Sequence, residues 1–156
     1  MLALVMTLTL GFQAAKAAPD IAAKTPEEAF RTFVAAMITK DEKTVRALAL
    51  PSDEIDWLLK GQGVPAGQVE AIKAQIAKMP IKALKPGDTY TLPGNRKMTV
   101  KPEEVAEDRV VLLPEGSPLP TRCQKVDGRW RVDAGPMIAG RKAADAARKK
   151  AEQSKK

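Results

Sequence analysis

The spacing of apolar residues changes character at Pro80. Before it the period is helical. Phe30, Phe33, Val34, Met37 and Ile38 fall at i, i+3, i+4, i+7 and i+8, one continuous stripe on a helix face. Thr25-Pro26-Glu27-Glu28 opens that helix. Thr25 offers a capping hydroxyl, Pro26 sits where a missing N–H loses no partner, and Glu28 completes a capping box. Asp41 is placed to cap a second helix with Val45, Leu48 and Ala49 inward, stopped by Pro51. Ser52 is placed to cap a third, with Asp53 and Glu54 at its positive end, Ile55, Leu58 and Leu59 inward, and Gly61 as its stop. Val69, Ile72, Ile76 and Met79 mark a fourth that runs to Pro80.

Beyond Pro80 the pattern is that of strands. Ile81 to Leu84, Thr89 to Leu92, Lys97 to Val100 and Arg109 to Leu113 are short runs separated by Pro86-Gly87-Asp88, Pro93-Gly94-Asn95 and further turn residues. Thr121 to Val126 and Arg129 to Asp133 flank Asp127-Gly128, the pair that suits a two-residue turn with both central residues at positive φ. That turn predicts Val126 opposite Arg129, Lys125 opposite Trp130, Gln124 opposite Arg131 and Cys123 opposite Val132. Opposed residues share a face. Cys123, Trp130 and Val132 are therefore expected against the helices, and Gln124, Arg129 and Arg131 on the outer face.

Helices first and antiparallel strands afterwards predict an α+β fold, with N-terminal helices packed on one face of a curved antiparallel sheet. Both ends of the chain differ from this body. Met1 to Phe12 is almost wholly apolar and is followed by Ala15-Lys16-Ala17, small at the two positions a signal peptidase reads. Residues 1–17 read as a signal peptide, which makes the mature protein periplasmic or extracellular. No Lys or Arg precedes Leu2, a departure from the usual signal, and the run is shorter than the roughly 20 residues that span a bilayer. Residues 18–135 then form the single domain. Residues 136–156 form an Ala- and Lys-rich basic tail, helical or disordered, since alanine favours helix but little apolar surface is available to bury.

Charge sharpens the division. The body holds 18 basic and 17 acidic side chains and the tail 7 basic and 2 acidic, so the positive charge belongs to the tail. A nucleic-acid-binding fold spreads such charge over one face of its body, and no nucleic-acid partner is expected. The tail run Arg148-Lys149-Lys150 is suited to weak contact with anionic membrane or envelope polymer, or simply to solubility. Histidine is absent and cysteine occurs once, at Cys123. Ser-His-Asp and Cys-His systems are thereby excluded, and a lone thiol forms no internal disulfide. No Walker loop, dinucleotide fingerprint, zinc spacing or nucleophile elbow occurs, so neither cofactor nor metal is expected.

A few side chains remain as candidates. Tyr90 lies two residues past Asp88, and a buried carboxyl beside a phenol can shuttle a proton next to a carbonyl. The plainer reading makes Asp88 a turn residue and Tyr90 a core residue. Trp57 borders its helix stripe and suits a pocket mouth, or an edge that covers the core. Trp130, facing inward, contacts either core or ligand. Asp53, Glu54 and Asp56 offer carboxylates to a cation but read more simply as helix-start charges that complement the dipole. Glu103, Glu104, Glu107 and Asp108 lack the Gly and ligand spacing of a Ca²⁺ loop and read as a solvated connection.

The capped first helix (TPEEAFRTFVAAMITKD), the short helices after it and the closing strand GRWRVD resemble the nuclear transport factor two-like superfamily, in particular its small exported bacterial members of unknown function. The resemblance covers about residues 25 to 134. It implies a cone whose helices and sheet enclose a pocket, and often a homodimer formed through the sheet. The superfamily contains isomerases, dehydratases and many non-enzymatic binding domains. Its enzymes use pocket Asp, Tyr or His, and here histidine is missing and the first helix has no tyrosine. The expected function is thus an exported, non-catalytic binding domain for a small apolar ligand or a protein partner, with Trp57, Tyr90 and Trp130 as ligand contacts. An isomerase- or dehydratase-type enzyme using Asp88 and Tyr90, and an envelope-associated protein held by its basic tail, are the alternatives.

Overall fold

The computed structural model describes residues 21, 23–60, 63–117 and 119–153; the segment read as a signal peptide lies outside them. The fold is α+β. Helix α1 (Pro26–Thr39) starts as its sequence requires, with the Glu28 N–H donating to Thr25 Oγ1 at 3.1 Å. The Glu28 carboxylate accepts from the Lys24 N–H at 2.8 Å, one residue before the position a capping box expects. Lys40 ends α1 at φ 55°, its N–H turned back to Ala36 and Met37. Helix α2 (Glu42–Leu48) is capped by Asp41, which accepts from the Thr44 N–H at 3.1 Å and from its hydroxyl at 2.6 Å.

The chain then departs from the expected pattern. Ala49 and Leu50 form a short strand, β1. Helix α3 is only Asp56–Leu59 and is not capped by Ser52. The Ser52 carbonyl accepts from Arg46 Nη1 at 2.9 Å instead, and the segment up to the buried Ile55 is a series of bends. Helix α4 (Val69–Lys78) follows a single 3₁₀ turn at Ala66–Gln68.

The strands are β2 (Ile81–Leu84), β3 (Thr89–Leu92), β4 (Arg96–Thr99), β5 (Arg109–Pro114), β6 (Thr121–Val126) and β7 (Arg129–Asp133). Four of them join β1 in an open five-stranded sheet of order β1-β7-β6-β5-β2, while β3 and β4 form a separate hairpin. The β6–β7 register is the one the Asp-Gly turn predicts, from Val126 beside Arg129 to Cys123 beside Val132. Asp127 and Gly128 take φ 51° and 75°, the left-handed pair that this turn demands. The pairing of β1 with β7 is parallel, which makes the sheet mixed.

Alternation along β5 divides the core in two. Leu112 and Val110 face the helices, in a cluster with Phe33, Leu48, Ile55, Cys123 and Val132. Val111 and Leu113 face the other way and pack with Leu84, Tyr90 and Val100 beneath the β3–β4 hairpin. The sheet therefore carries helices on one face and a hairpin over part of the other. Burying a side chain such as Phe33 or Leu112 contributes about 1.5–3 kcal/mol, and the helical side supplies most of that burial. Trp130 is half-buried against this main cluster, and its N–H reaches the Ala23 carbonyl at 3.4 Å.

The basic tail is built as helix α5 (Gly135–Gln153). Its first turns are part of the body, because Ile138 is buried in the main cluster and Met137 packs beside it. Among the described residues no helix is long and apolar enough to cross a membrane.

Candidate functional site

Strands β5 and β7 end, and β6 begins, near one end of the sheet, where the Pro114–Thr121 connection and the start of α5 also lie. Around that end runs a groove of about 510 Å³. Phe30 and Val34 of α1, with Met79 after α4, line its helical side. Tyr90, Leu92 and Met98 of the hairpin line the other, and Leu119 and Met137 contribute from the connection and from α5. The volume is in the range of small-molecule sites. Met98 and Leu119 are 41% and 51% exposed, the large apolar side chains that the described fold leaves in water, and both belong to this groove.

The polar lining of the groove is Ser117, Thr121, Arg122 and Asp133, and Arg122 and Asp133 also border a second groove of about 600 Å³ on the outer sheet face. Arg122 Nε donates to Glu104 Oε1 at 2.9 Å, and its Nη2 donates to the same oxygen. The other oxygen, Oε2, accepts from the Lys101 N–H at 2.9 Å. That backbone bond first, and the Arg122 bond second, hold the Glu104 carboxyl below the usual carboxylate range. Burial works against the Arg122 charge, but Glu104 and then the nearby Tyr90 hydroxyl outweigh it and keep the guanidinium above its ordinary value. A neutralised Arg–Glu pair with a phenol beside it gives this apolar groove a fixed polar corner.

Tyr90 is buried and lines the groove. Asp88 is not among the lining residues. Its carboxylate accepts from the Lys85 N–H at 3.0 Å and lies 3.8 Å from Lys82 Nζ, tying the Pro86-Gly87 turn together. Trp130 lines neither groove and packs on the main cluster. Trp57 packs on the main cluster and lines a separate cleft between α3 and α5, with Lys60 Nζ 3.5 Å from its ring centroid. The structure thus brings only Tyr90, of these four residues, to the apolar groove.

Other candidates have ordinary surroundings. Cys123 is buried, and that burial pushes its thiol up to about 12, so the thiolate nucleophile is suppressed. Glu54 pairs with Lys142, and Glu103 and Glu104 engage Lys101 and Arg122. Among the described residues no three of His, Cys, Asp or Glu converge on a point where a metal could sit. Arg131 is half-buried on the outer sheet face, and its Nε has no hydrogen-bond partner among the described residues.

Met98, Leu119, Met79 and Arg122 escape a reading of the sequence as single residues. The signal for the first two is present, because Met98 stands among Arg96, Lys97 and Thr99, and Leu119 stands between two prolines. A large apolar residue in an otherwise polar stretch has no core to enter locally and marks a surface with another use. Comparison of the chain with protein-family models, curated proteins and solved structures gives no match.

Proposed function

We propose that this protein is a non-catalytic binding domain that takes a small, flexible apolar ligand in the groove at the end of the sheet. One observation carries the reading: Met98 and Leu119, the exposed large apolar side chains of the described fold, converge on the same groove. Leaving both in water costs stability that a bound apolar ligand restores. Met79, Met98 and Met137 supply unbranched, polarizable walls that adapt to chains of differing shape. The polar corner at Arg122 and Tyr90 orients the end of a ligand that carries one acceptor group. The reading agrees with the resemblance to the nuclear transport factor two-like superfamily, many of whose members bind without catalysis. It also places the mature domain outside the cytoplasm, after removal of residues 1–17.

The test uses a neutral fluorescent probe, N-phenyl-1-naphthylamine, displaced by dodecanol. The probe should bind saturably at one site. Met98→Lys with Leu119→Lys should weaken it about tenfold or more, because each change removes apolar contact area worth about 1.5–3 kcal/mol when fully buried. Both positions are exposed, so the melting temperature should stay near that of the parent. Unsaturable binding, or an unchanged affinity in the double variant, overturns the proposal.

A further inference from the structure

The cleft that holds Trp57 differs from the apolar groove in every chemical respect. It has a volume of about 590 Å³ and lies between α3 and α5. Lys60, Arg141, Arg148 and Lys149 line it with a single carboxylate, that of Asp145. On α5, positions 141, 145, 148 and 149 fall at i, i+4, i+7 and i+8, so one face of the helix presents them together. Ala144, on the same face, leaves the floor open where a longer side chain would fill it. Arg141 Nη1 donates to the Lys60 carbonyl, which fixes α5 against α3 and sets the width of the cleft.

The charges do not cancel inside it. Asp145 accepts from Lys149 at 3.1 Å, and that bond, with help from Arg148 and Lys60, lowers its pKa. Arg148 stands 3.9 Å from Asp145 and 3.8 Å from Glu152, too far for a normal hydrogen bond to either. Arg148 is thus ion-paired loosely, with neither carboxylate at hydrogen-bond distance from its planar donors. Lys142, at the border, is paired with Glu54 and only approaches the Trp57 ring at 5.9 Å. Four lining cations face Asp145, with Glu152 beside Arg148 at the rim, which leaves an excess of positive charge beside the Trp57 ring.

We propose that this cleft binds a phosphate group. A phosphate monoester carries about −1.5 to −2 charges at neutral pH and three acceptor oxygens, a closer match to the excess than one carboxylate. Arg148 has the forked geometry that grips two of those oxygens, while Lys60 and Lys149 act as point charges. The Trp57 ring holds the Lys60 ammonium 3.5 Å from its centroid and so keeps that charge at the cleft. The group has two sources, a soluble phosphate monoester or the monoester headgroup of phosphatidic acid, and the cleft recognises what they share.

Calorimetric titration of the full chain with glycerol 3-phosphate tests the first source. Sedimentation with phosphatidic acid vesicles, whose headgroup is a phosphate monoester, against phosphatidylcholine vesicles, tests the second. The comparison protein carries Lys60→Gln, Arg148→Gln and Lys149→Gln together, three exposed positions outside the core. Saturable binding in either arm, weakened at least tenfold in the triple variant and further weakened by salt, supports the site and names its source. Absence of binding in both arms overturns it, as does binding that the triple variant retains. Because the neutral naphthylamine probe reads the other groove, a failure here leaves that result standing.

Discussion

Arg31 of α1 donates a hydrogen bond to the carbonyl of Met79 at 2.7 Å, across the junction between α1 and the end of α4. Its other terminal nitrogen donates to the Ile76 carbonyl. One side chain thereby satisfies two carbonyls at a helix end, where intrahelical partners run out. It also sets the position of Met79, which lines the apolar groove.

Arg31→Leu should therefore do two things. It should lower stability by about 1–2 kcal/mol in urea titration, since it strips partners from partly buried carbonyls. It should also weaken naphthylamine binding, because the end of α4 is no longer held. Faster amide exchange confined to the last turn of α4 would trace both effects to that junction. Unchanged exchange there would break the link between Arg31 and the groove.

The Glu104–Arg122 pair makes stability depend on pH in a stated direction. Glu104 has its pKa lowered by folding, so its contribution is fully present above the ordinary carboxylate value and is lost as pH falls through the lower folded value. Glu104→Gln should cost about 1 kcal/mol at neutral pH, a modest figure because Arg122 is partly exposed and screened. The variant should also lose less stability than the parent between pH 5 and about 3. Parallel acid-unfolding curves for the two proteins would contradict this.

Cys123 should be chemically silent in the native state. With its thiol pushed up to about 12 by burial, iodoacetamide at pH 8 should label it only as fast as the fold opens. The labelling rate should rise steeply through the urea transition and saturate in the unfolded chain. Rapid labelling of the folded protein would show that the strand is accessible.

Local chemistry and the α+β layering were legible in the sequence, and the placement of the β3–β4 hairpin and of the candidate site was not. The Asp127-Gly128 turn is a property of two residues, and it determined four cross-strand pairs without any knowledge of the rest. Thr25 and Asp41 act through atoms within three residues, and both cap as their positions imply. Ser52 failed as a cap because a competitor six residues earlier, Arg46, takes its carbonyl while the chain bends toward Ile55. The β3–β4 hairpin was recognisable as strands, but its place over the second face depends on Val111 and Val100 meeting across distant segments. The alternation of Val111 and Leu112, both buried, carried that information, since a strand buried on both faces must have a second cover. The candidate site was the least legible part. Its walls come from α1, α4, a hairpin, a connection and α5, and no period in the chain relates them.

The last strand closes the structure for the first segments of the chain. Ala23 meets Trp130, Ala49 lies beside Val132, and Phe33 shares its cluster with Val132. A chain leaving the ribosome must therefore wait until its final hairpin has been made before its leading helix finds a permanent seat. Over most of its synthesis the inward face of that helix lacks its final cover.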